Sequence, residues 1–223
     1  MNPVSFRKTS ALYHAQLLNR RWLSRVAFEL EFTKPASFSF TPGQRIQLIH
    51  KEVDREYSLV STPLDDTIRL CVRLVEGGKL SSALSNAKKG DVFSFRGPLG
   101  YFTFTPSPRQ AFFVATGTGI APFVSMSRTG VKGFTLLHGV PDAADLYYRE
   151  LFESIQCEYI PCLSKKVEGQ NFFDGRVTDY ITRVTPRRPC DFYLCGRGDM
   201  VRDVTLIVDE LFAGSLLYTE TFY

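Results

Sequence analysis

The first half of the sequence alternates hydrophobic and polar residues with a period of two. The segments that show this alternation are 25–33, 44–50, 67–75 and 91–104. Successive side chains of a β-strand point to opposite faces, so each segment predicts a half-buried strand. Turn-forming residues such as Pro42-Gly43 separate the segments. Short strands at this spacing predict a small closed antiparallel β-barrel. Residues 80–87 are the exception and predict one short helix that begins near Gly78 and Ser81.

The second half replaces this alternation with continuous apolar runs, and helical periodicity appears between them. The apolar runs are 111–116, 133–140, 157–164 and 190–196. The helical stretches are 121–128, 145–155, 176–184 and 198–212. Continuous apolar strands are typical of parallel sheets that helices cover on both faces. We therefore predict an antiparallel β-barrel over residues 1–106, followed by an α/β domain with a parallel sheet over residues 107–223.

Composition narrows this picture by what it excludes. The 223 residues suffice for two domains of about 100 residues each. Hydrophobic residues make up 44% of the sequence and charged residues 22%, which is ordinary for a globular protein. The net charge of +4 is mild and the basic residues are scattered, which argues against nucleic-acid binding and suits an acidic protein partner.

The cysteines and histidines show no metal-binding spacing. The sequence holds five cysteines: Cys71, Cys157, Cys162, Cys190 and Cys195. The absence of a C-x-x-C pair argues against a disulfide framework, a zinc site or an iron–sulfur cluster. His14, His50 and His138 are too dispersed to indicate a metal site. No apolar run approaches the roughly 20 residues that span a bilayer, and we see no signal peptide, so we expect a cytoplasmic protein with reduced thiols.

The clearest local motif is Gly117-Thr118-Gly119, which follows a buried strand and precedes a helix that begins near Pro122. Glycines permit a tight turn and let backbone N–H groups approach a phosphate at the positive end of a helix. The motif lacks the third glycine of the full dinucleotide fingerprint, and an ordinary strand–turn–helix is the simpler alternative.

Two further segments are also candidates for ligand binding because of their predicted positions in the fold. Residues 76–85, EGGKLSSALS, place a glycine pair and serines at a helix start, where backbone donors and hydroxyls are available to an anion; capping by a serine is the simpler alternative. Cys195 and Gly196 lie at the carboxyl end of a predicted parallel strand, where ligands bind in α/β sheets. The alternative for Cys195 is one more small buried residue.

The stretch DREYSLVST, residues 54–62, puts Arg55 and Tyr57 on one face of a strand and Glu56 and Ser58 on the other. Taken alone, it is a strand edge whose arginine extends along apolar surface towards solvent.

Six stretches, taken in order, resemble the ferredoxin–NADP reductase family of flavoproteins. They are REYS (55–58), GGKLSS (77–82), GPLG (97–100), GTGIAP (117–122), CG (195–196) and ETFY (220–223). The resemblance covers nearly the whole chain. It implies an N-terminal FAD-binding barrel, an α/β domain that binds NAD(P)H, and a terminal aromatic side chain that covers the flavin.

For FAD, the resemblance implies that Arg55 pairs with the pyrophosphate, Tyr57 stacks on the flavin ring and Ser58 lies near flavin N5. It places Phe222 on the flavin face and Tyr223 at the adenine end. The full set of implied FAD-binding residues is Arg55, Glu56, Tyr57, Ser58, Cys71, Val72, Arg73, Gly78, Lys79, Leu80, Ser81, Ser82, Phe222 and Tyr223.

For NAD(P)H, the resemblance implies a pyrophosphate site at the glycine turn and places Cys195 near the nicotinamide C4 atom. The implied residues are Thr116, Gly117, Thr118, Gly119, Pro122, Ser164, Lys165, Lys166, Arg176, Cys195, Gly196 and Met200. Ser164, Lys165, Lys166 and Arg176 favour NADPH because they suit a 2′-phosphate, although lysines in a surface loop are often merely solvated. Ser58, Cys195 and Glu220 are the implied catalytic residues.

The implied activity is hydride transfer from NAD(P)H to flavin N5, followed by single-electron transfer to a carrier. Because the sequence holds no cluster-binding cysteines, we expect a separate acidic carrier, ferredoxin or flavodoxin, and a monomeric enzyme. The alternatives are a reductase that uses free flavin as a substrate, the reductase component of an oxygenase or similar system, and a flavoprotein that binds a partner without catalysis.

Overall fold

The computed structural model describes residues 11–165 and 172–222, which form two six-stranded sheets. In chain order the elements are β1 (Leu12–Trp22), β2 (Ala27–Thr33), β3 (Arg45–His50), β4 (Val53–Ser58), β5 (Thr67–Arg73), α1 (Lys79–Asn86), β6 (Val92–Leu99), β7 (Gln110–Thr116), α2 (Ala121–Arg128), β8 (Thr135–Val140), α3 (Arg149–Ser154), β9 (Glu158–Leu163), β10 (Phe173–Asp174), α4 (Val177–Arg183), β11 (Cys190–Arg197), α5 (Gly198–Leu211) and β12 (Leu216–Phe222). Short 3₁₀ helices occur at Gly117–Ile120 and Ala143–Asp145.

The first sheet is antiparallel, with the strand order β4-β3-β6-β1-β2-β5. A bridge between Leu59 and Leu70 joins its two edges, so the sheet closes into a barrel. The period-two pattern explains its core, since alternate residues such as Ile46 and Leu48 are buried while their neighbours in β3 are more exposed. The predicted antiparallel barrel is confirmed.

The second sheet is parallel, with the order β10-β9-β8-β7-β11-β12. Its central strands are buried on both faces, because Phe113 and Ala115 contribute to one core cluster and Phe112 and Val114 to the other. The continuous apolar runs of the sequence are explained by this two-sided burial. The predicted parallel α/β domain is confirmed.

Three strands, β1, β10 and β12, were not predicted from the pattern. In β1 the inward residues Ala15 and Leu17 do alternate, but the pairing with β2 shifts register between Leu17 and Asn19, which ends the simple period. β10 has only two residues, which is too short to show a pattern. β12 mixes polar and apolar residues without a clear period, so it forms a strand because of its pairing with β11.

Two predicted elements are shorter than expected. The helix predicted over 145–155 is α3, which begins only at Arg149 because Tyr148 has a φ of +58°, outside the helical region. The strand predicted over 91–104 ends at Leu99, and Gly100, with a φ of +83°, redirects the chain. The connection to β7 follows, and the predicted domain boundary between residues 106 and 107 stays a prediction. Within residues 11–165 and 172–222, no helix is long and apolar enough to span a bilayer.

The two sheets pack against each other through a mixed interface. Phe102 from the connection joins the same core cluster as Phe123 of α2. The buried hydroxyl of Ser125 donates a hydrogen bond of 2.7 Å to the carbonyl of Ser61. This packing brings the end of β4 against the end of β12, where the candidate site lies.

Candidate functional site

Three strand ends meet at one buried point between the two sheets. Ser58 ends β4 of the barrel, and its Oγ donates a hydrogen bond of 2.7 Å to Oε1 of Glu220 in β12, which is 162 residues away in sequence. Glu220 lies opposite Cys195 in the pairing of β12 with β11. The exposed fractions are 2% for Ser58, 0% for Cys195 and 5% for Glu220. The structure thus brings together the three predicted catalytic residues.

Burial and one cation decide the charges at this point. Burial raises the pKa of Glu220, while the hydrogen bond from Ser58 and the charge of Arg45 oppose that shift. Burial, reinforced by the negative charge of Glu220, raises the pKa of the Cys195 thiol well above its usual value. Cys195 is therefore a neutral thiol at neutral pH, a small side chain that contributes shape rather than a thiolate nucleophile.

Arg45 is a site residue that the sequence analysis missed. Its Nη1 donates to Oε2 of Glu220 at 2.7 Å, and its Nε donates to Oε2 of Glu56 at 2.5 Å. Arg45 lies directly opposite Ser58 in the pairing of β3 with β4. The predicted FAD ligand Glu56 is thus an exposed residue bound to Arg45. Knowledge of the register between β3 and β4 would have identified Arg45, because Arg45 is paired with Ser58 in these antiparallel strands.

Tyr57 and Arg55 share the opposite face of β4, as predicted, since they pair with the core residues Ile46 and Leu48 of β3. Tyr57 is half-buried, and burial raises its pKa to about 12 despite the nearby charge of Arg55. Arg55 is exposed, and its Nη1 donates to the backbone oxygen of Asp54 at 2.7 Å. A flat aromatic ring beside an exposed guanidinium fits an isoalloxazine with its diphosphate.

The start of α1 supplies backbone donors. Gly78 is the N-cap and has no side-chain cap, so the first-turn N–H groups of Lys79, Leu80 and Ser81 are available to an anion. The simpler alternative of serine capping is wrong, because the Ser81 hydroxyl instead accepts a hydrogen bond from the Val75 N–H at 3.2 Å. α1 also packs against β4, which carries Arg55.

The other predicted FAD residues of the barrel lie in three different environments. Ser82 is half-buried, and its N–H donates to the carbonyl of Gly78, the N-cap of α1. In β5, Val72 is fully buried in the barrel core, so a contact with flavin would have to come from its main chain, while Arg73 is exposed. Cys71 is buried, and its thiol contacts the Tyr148 hydroxyl across the domain interface.

The glycine turn after β7 is held tightly on one side and open on the other. A Cβ on Gly119 would lie 2.2 Å from the backbone oxygen of Cys195, so only glycine lets this turn pack on the end of β11. Likewise, a Cβ on Gly196 would lie 2.2 Å from Oγ1 of Thr116. Gly117 has a φ of +53°, and a Cβ on it would meet no atom within 4 Å, which leaves open space over the turn. This open, glycine-lined turn fits the diphosphate of a dinucleotide.

The helix behind the turn begins as predicted. Thr118 is half-buried and lies in the 3₁₀ turn that runs directly into α2, and its carbonyl accepts the Ala121 N–H. Pro122 occupies the first turn of α2, where a missing N–H has no consequence.

His138 is a second residue that the sequence analysis missed. It lies in β8, is fully buried, and its Nε2 is 3.2 Å from the carbonyl oxygen of Gly117, while its Nδ1 is 3.2 Å from the Tyr159 hydroxyl. Burial lowers the pKa of His138 to about 4, although the hydrogen bond to Gly117 opposes this shift. A neutral ring has one N–H, and because a carbonyl only accepts, the proton lies on Nε2.

The residues predicted to select NADPH lie beyond β9. Ser164 and Lys165 are exposed, and their N–H groups donate to the carbonyls of Val140 and Pro141. Arg176 is exposed at the N-cap of α4, next to Gly175, whose N–H donates to the Leu163 carbonyl at 2.9 Å. Arg176 therefore lies close to Ser164.

The last predicted residues fall into three groups. Met200 of α5 is 7% exposed and packs in the core cluster under β11. Phe222 is half-buried at the end of β12 and packs against the cluster that includes Cys195. Lys166 and Tyr223 lie outside the described residues. The described part of the chain contains no group of three His, Cys, Asp or Glu residues arranged to hold a metal ion.

Comparison with known proteins agrees with this geometry. Residues 15–104 match the oxidoreductase FAD-binding domain, and residues 113–205 match the oxidoreductase NAD-binding domain. The chain belongs to the ferredoxin reductase-like family. It is 31% identical over 212 residues to the toluate 1,2-dioxygenase electron transfer component of Pseudomonas putida, a match that covers 86% of this chain and 62% of that protein. It is 36% identical over 157 residues to ferredoxin–NADP reductase B of Sorangium cellulosum, which covers 64% of each.

Solved structures of the family have the same fold. The Amycolatopsis cytochrome P450 reductase GcoB is 27% identical, with a TM-score of 0.85 over 96% of this chain and 71% of that one. A ferredoxin NADP⁺ reductase from Neisseria gonorrhoeae with bound FAD and NADP is 19% identical, with a TM-score of 0.84 over 95% and 99% of the two chains. This ferredoxin reductase-like protein spans 62% and 64% of the length of the two curated relatives above.

Proposed function

We propose that this protein is a flavoenzyme that oxidises NAD(P)H through a bound FAD and passes the electrons to a one-electron carrier protein. The observation that carries the proposal is the meeting of Ser58, Glu220 and Cys195. It joins the end of a barrel strand to the ligand-binding edge of the parallel sheet. A flavin held by the barrel and a nicotinamide held by the α/β domain have their reacting ends at such a point.

The barrel residues would bind FAD by shape and charge. Tyr57 offers a ring for stacking, Arg55 a guanidinium for the diphosphate, and the start of α1 uncapped N–H donors. When bound, FAD supplies the chemistry that accepts a hydride from NAD(P)H and releases two electrons singly.

The α/β residues would bind and orient the nicotinamide nucleotide. The turn at Gly117 and Gly119 receives its diphosphate, and Cys195 presents a small neutral side chain at the end of β11. Together with Glu220, these buried residues exclude water from the point of transfer. Ser164, Lys165 and Arg176 favour NADPH, because their exposed donors suit a 2′-phosphate.

The proposed electron acceptor is a separate acidic protein, ferredoxin or flavodoxin. The net charge of +4 supports this choice, since opposite charges speed the encounter of two proteins. We further propose a cytoplasmic monomer. The reductase component of an oxygenase is a second candidate function, because a relative is named a dioxygenase electron transfer component.

The visible absorption spectrum tests the proposal. The purified protein is passed through gel filtration, and spectra are recorded anaerobically before and after addition of NADPH and, separately, NADH. We expect a flavin spectrum that is retained and then bleaches, more readily with NADPH. A colourless protein that oxidises NADPH only when free flavin is supplied would identify a flavin reductase instead. A flavin that remains oxidised with both nucleotides would favour a non-catalytic flavoprotein.

A further inference from the structure

We propose that Arg45 is a positioning residue that keeps Glu220 ionised and holds its carboxylate on the hydroxyl of Ser58. The inference rests on the proposed function, since it gives this arginine a part in the proposed hydride transfer. Arg45 lies in the barrel and Glu220 in the last strand of the parallel sheet, so their contact also joins the two domains.

The guanidinium of Arg45 bridges two carboxylates, those of Glu220 and Glu56. The guanidinium donates through Nη1 to Glu220 at 2.7 Å and through Nε to Glu56 at 2.5 Å. The Glu220 side chain is 4% exposed and that of Arg45 is 26% exposed. A carboxylate this deeply buried remains charged only when a partner compensates for the lost water.

The surrounding backbone makes room for the guanidinium. A Cβ on Gly100 would lie 2.5 Å from Nη1 of Arg45 and 3.6 Å from Oε2 of Glu220. The side chain of Gln44 donates to the Gly100 carbonyl at 3.0 Å and fixes this turn. The glycine that ends the GPLG stretch therefore serves the position of Arg45, a role that the sequence pattern does not reveal.

Three side chains shift the pKa of Glu220, and the thiol of Cys195 lies opposite it in the pairing of β11 with β12. Ser58 and Arg45 lower its pKa, Glu56 raises it through like charge, and Cys195 is a neutral thiol on β11. Arg45 is the cation of this set. Removal of its charge leaves only the hydrogen bond from Ser58 to oppose burial and Glu56, so the pKa of Glu220 rises and the protonated acid is favoured.

The charge of Glu220 decides which way the hydroxyl of Ser58 points. An ionised carboxylate only accepts, so Ser58 donates its single proton to Glu220 and presents lone pairs elsewhere. A protonated Glu220 can itself donate, which releases the Ser58 proton for another acceptor. Arg45 thus sets the hydrogen-bond character of the residue that we expect beside flavin N5.

The test is a pH titration of Glu220 by ¹³C NMR in the 223-residue protein as purified, labelled at the glutamate carboxyl carbons. The variant Glu220→Gln identifies the signal. We expect Glu220 to be ionised at pH 7 in the wild type, and Arg45→Gln to move its midpoint upward by about one pH unit or more. Arg45→Lys restores most of the shift, and Arg202→Gln, which removes an exposed arginine paired with Asp203, leaves the midpoint in place.

The pH dependence of NADPH-driven flavin bleaching should shift in the same direction in Arg45→Gln. An unchanged Glu220 midpoint in that variant would overturn the proposal. If Arg45→Gln does not fold, the wild-type titration decides, because a Glu220 that is protonated at pH 7 contradicts the role given to Arg45. Absence of NADPH-driven bleaching together with a shifted midpoint would refute the proposed function and leave this inference standing.

Discussion

The ring Nε2 atom of His138 lies 3.2 Å from the carbonyl oxygen of Gly117, so a fully buried histidine holds the glycine turn that follows β7. The Tyr159 hydroxyl, 3.2 Å from Nδ1, orients the ring from the next strand. A turn that is to bind the proposed diphosphate needs a fixed backbone, and this hydrogen bond fixes the turn at Gly117, a residue with positive φ.

Replacement of His138 by Phe should therefore weaken coenzyme binding more than turnover. Loss of one neutral hydrogen bond corresponds to roughly 1 kcal/mol, so we expect KM for NADPH to rise about fivefold while kcat changes by less than about twofold. Tyr159→Phe keeps the donor to Gly117 and should show a smaller rise. Steady-state kinetics measure both. A fall in kcat without a change in KM would contradict a role in holding the turn.

Acid should destabilise the protein partly through His138. Burial lowers the pKa of His138 from 6.5 to about 4. Between pH 6.5 and pH 4, His138 is therefore mainly protonated in the unfolded chain and mainly neutral in the folded protein. The contribution of His138 to the free energy of unfolding is fully present above pH 6.5. It falls by up to about 3 kcal/mol as the pH is lowered towards 4. Urea unfolding of wild type and His138→Phe at pH 7 and pH 4.5 measures the difference. Equal acid losses in both proteins would show that His138 is not buried as a neutral ring.

Gly119 should tolerate no side chain. A methyl group there meets the backbone oxygen of Cys195 at 2.2 Å, so Gly119→Ala pushes the turn away from β11 and should raise the Kd for NADP⁺ roughly tenfold or more. Gly130→Ala is the matched control, since Gly130 has a φ of +100° but no atom within 4 Å of the added carbon. It should lower stability by about 1 kcal/mol and leave NADP⁺ binding unchanged. Calorimetric titration compares them, and equal affinities would contradict the role of the close approach.

Tyr57 should contribute to FAD affinity through its ring and not through its hydroxyl. Tyr57→Leu loses the stacking surface, and we expect the Kd for FAD to rise about tenfold, whereas Tyr57→Phe should bind nearly as the wild type does. Quenching of FAD fluorescence on titration with flavin-stripped protein measures both constants. A large loss in Tyr57→Phe would instead point to a hydrogen bond from the phenol.

The sequence by itself determined the two sheet types and their order. Period-two alternation requires one buried face, and continuous apolar runs require two, so local patterns distinguish barrel strands from parallel strands. The glycine turn and the helix start at Pro122 could also be predicted, because the effects of glycine and proline on the backbone are local. β1 was missed because its register against β2 shifts between Leu17 and Asn19, and such a shift interrupts the period-two pattern.

Only the tertiary structure decided which side chains meet. Ser58 and Arg45 reach Glu220 across 162 and 175 residues, and His138 reaches Gly117 from a neighbouring strand. These contacts depend on barrel register and on β12 pairing with β11, and neither is written in the local spacing of residues. An arginine on the polar face of a strand and a histidine inside an apolar run look ordinary in sequence. Their partners, Glu220 and Gly117, are brought to them by the packing of distant segments, which the local sequence pattern does not reveal.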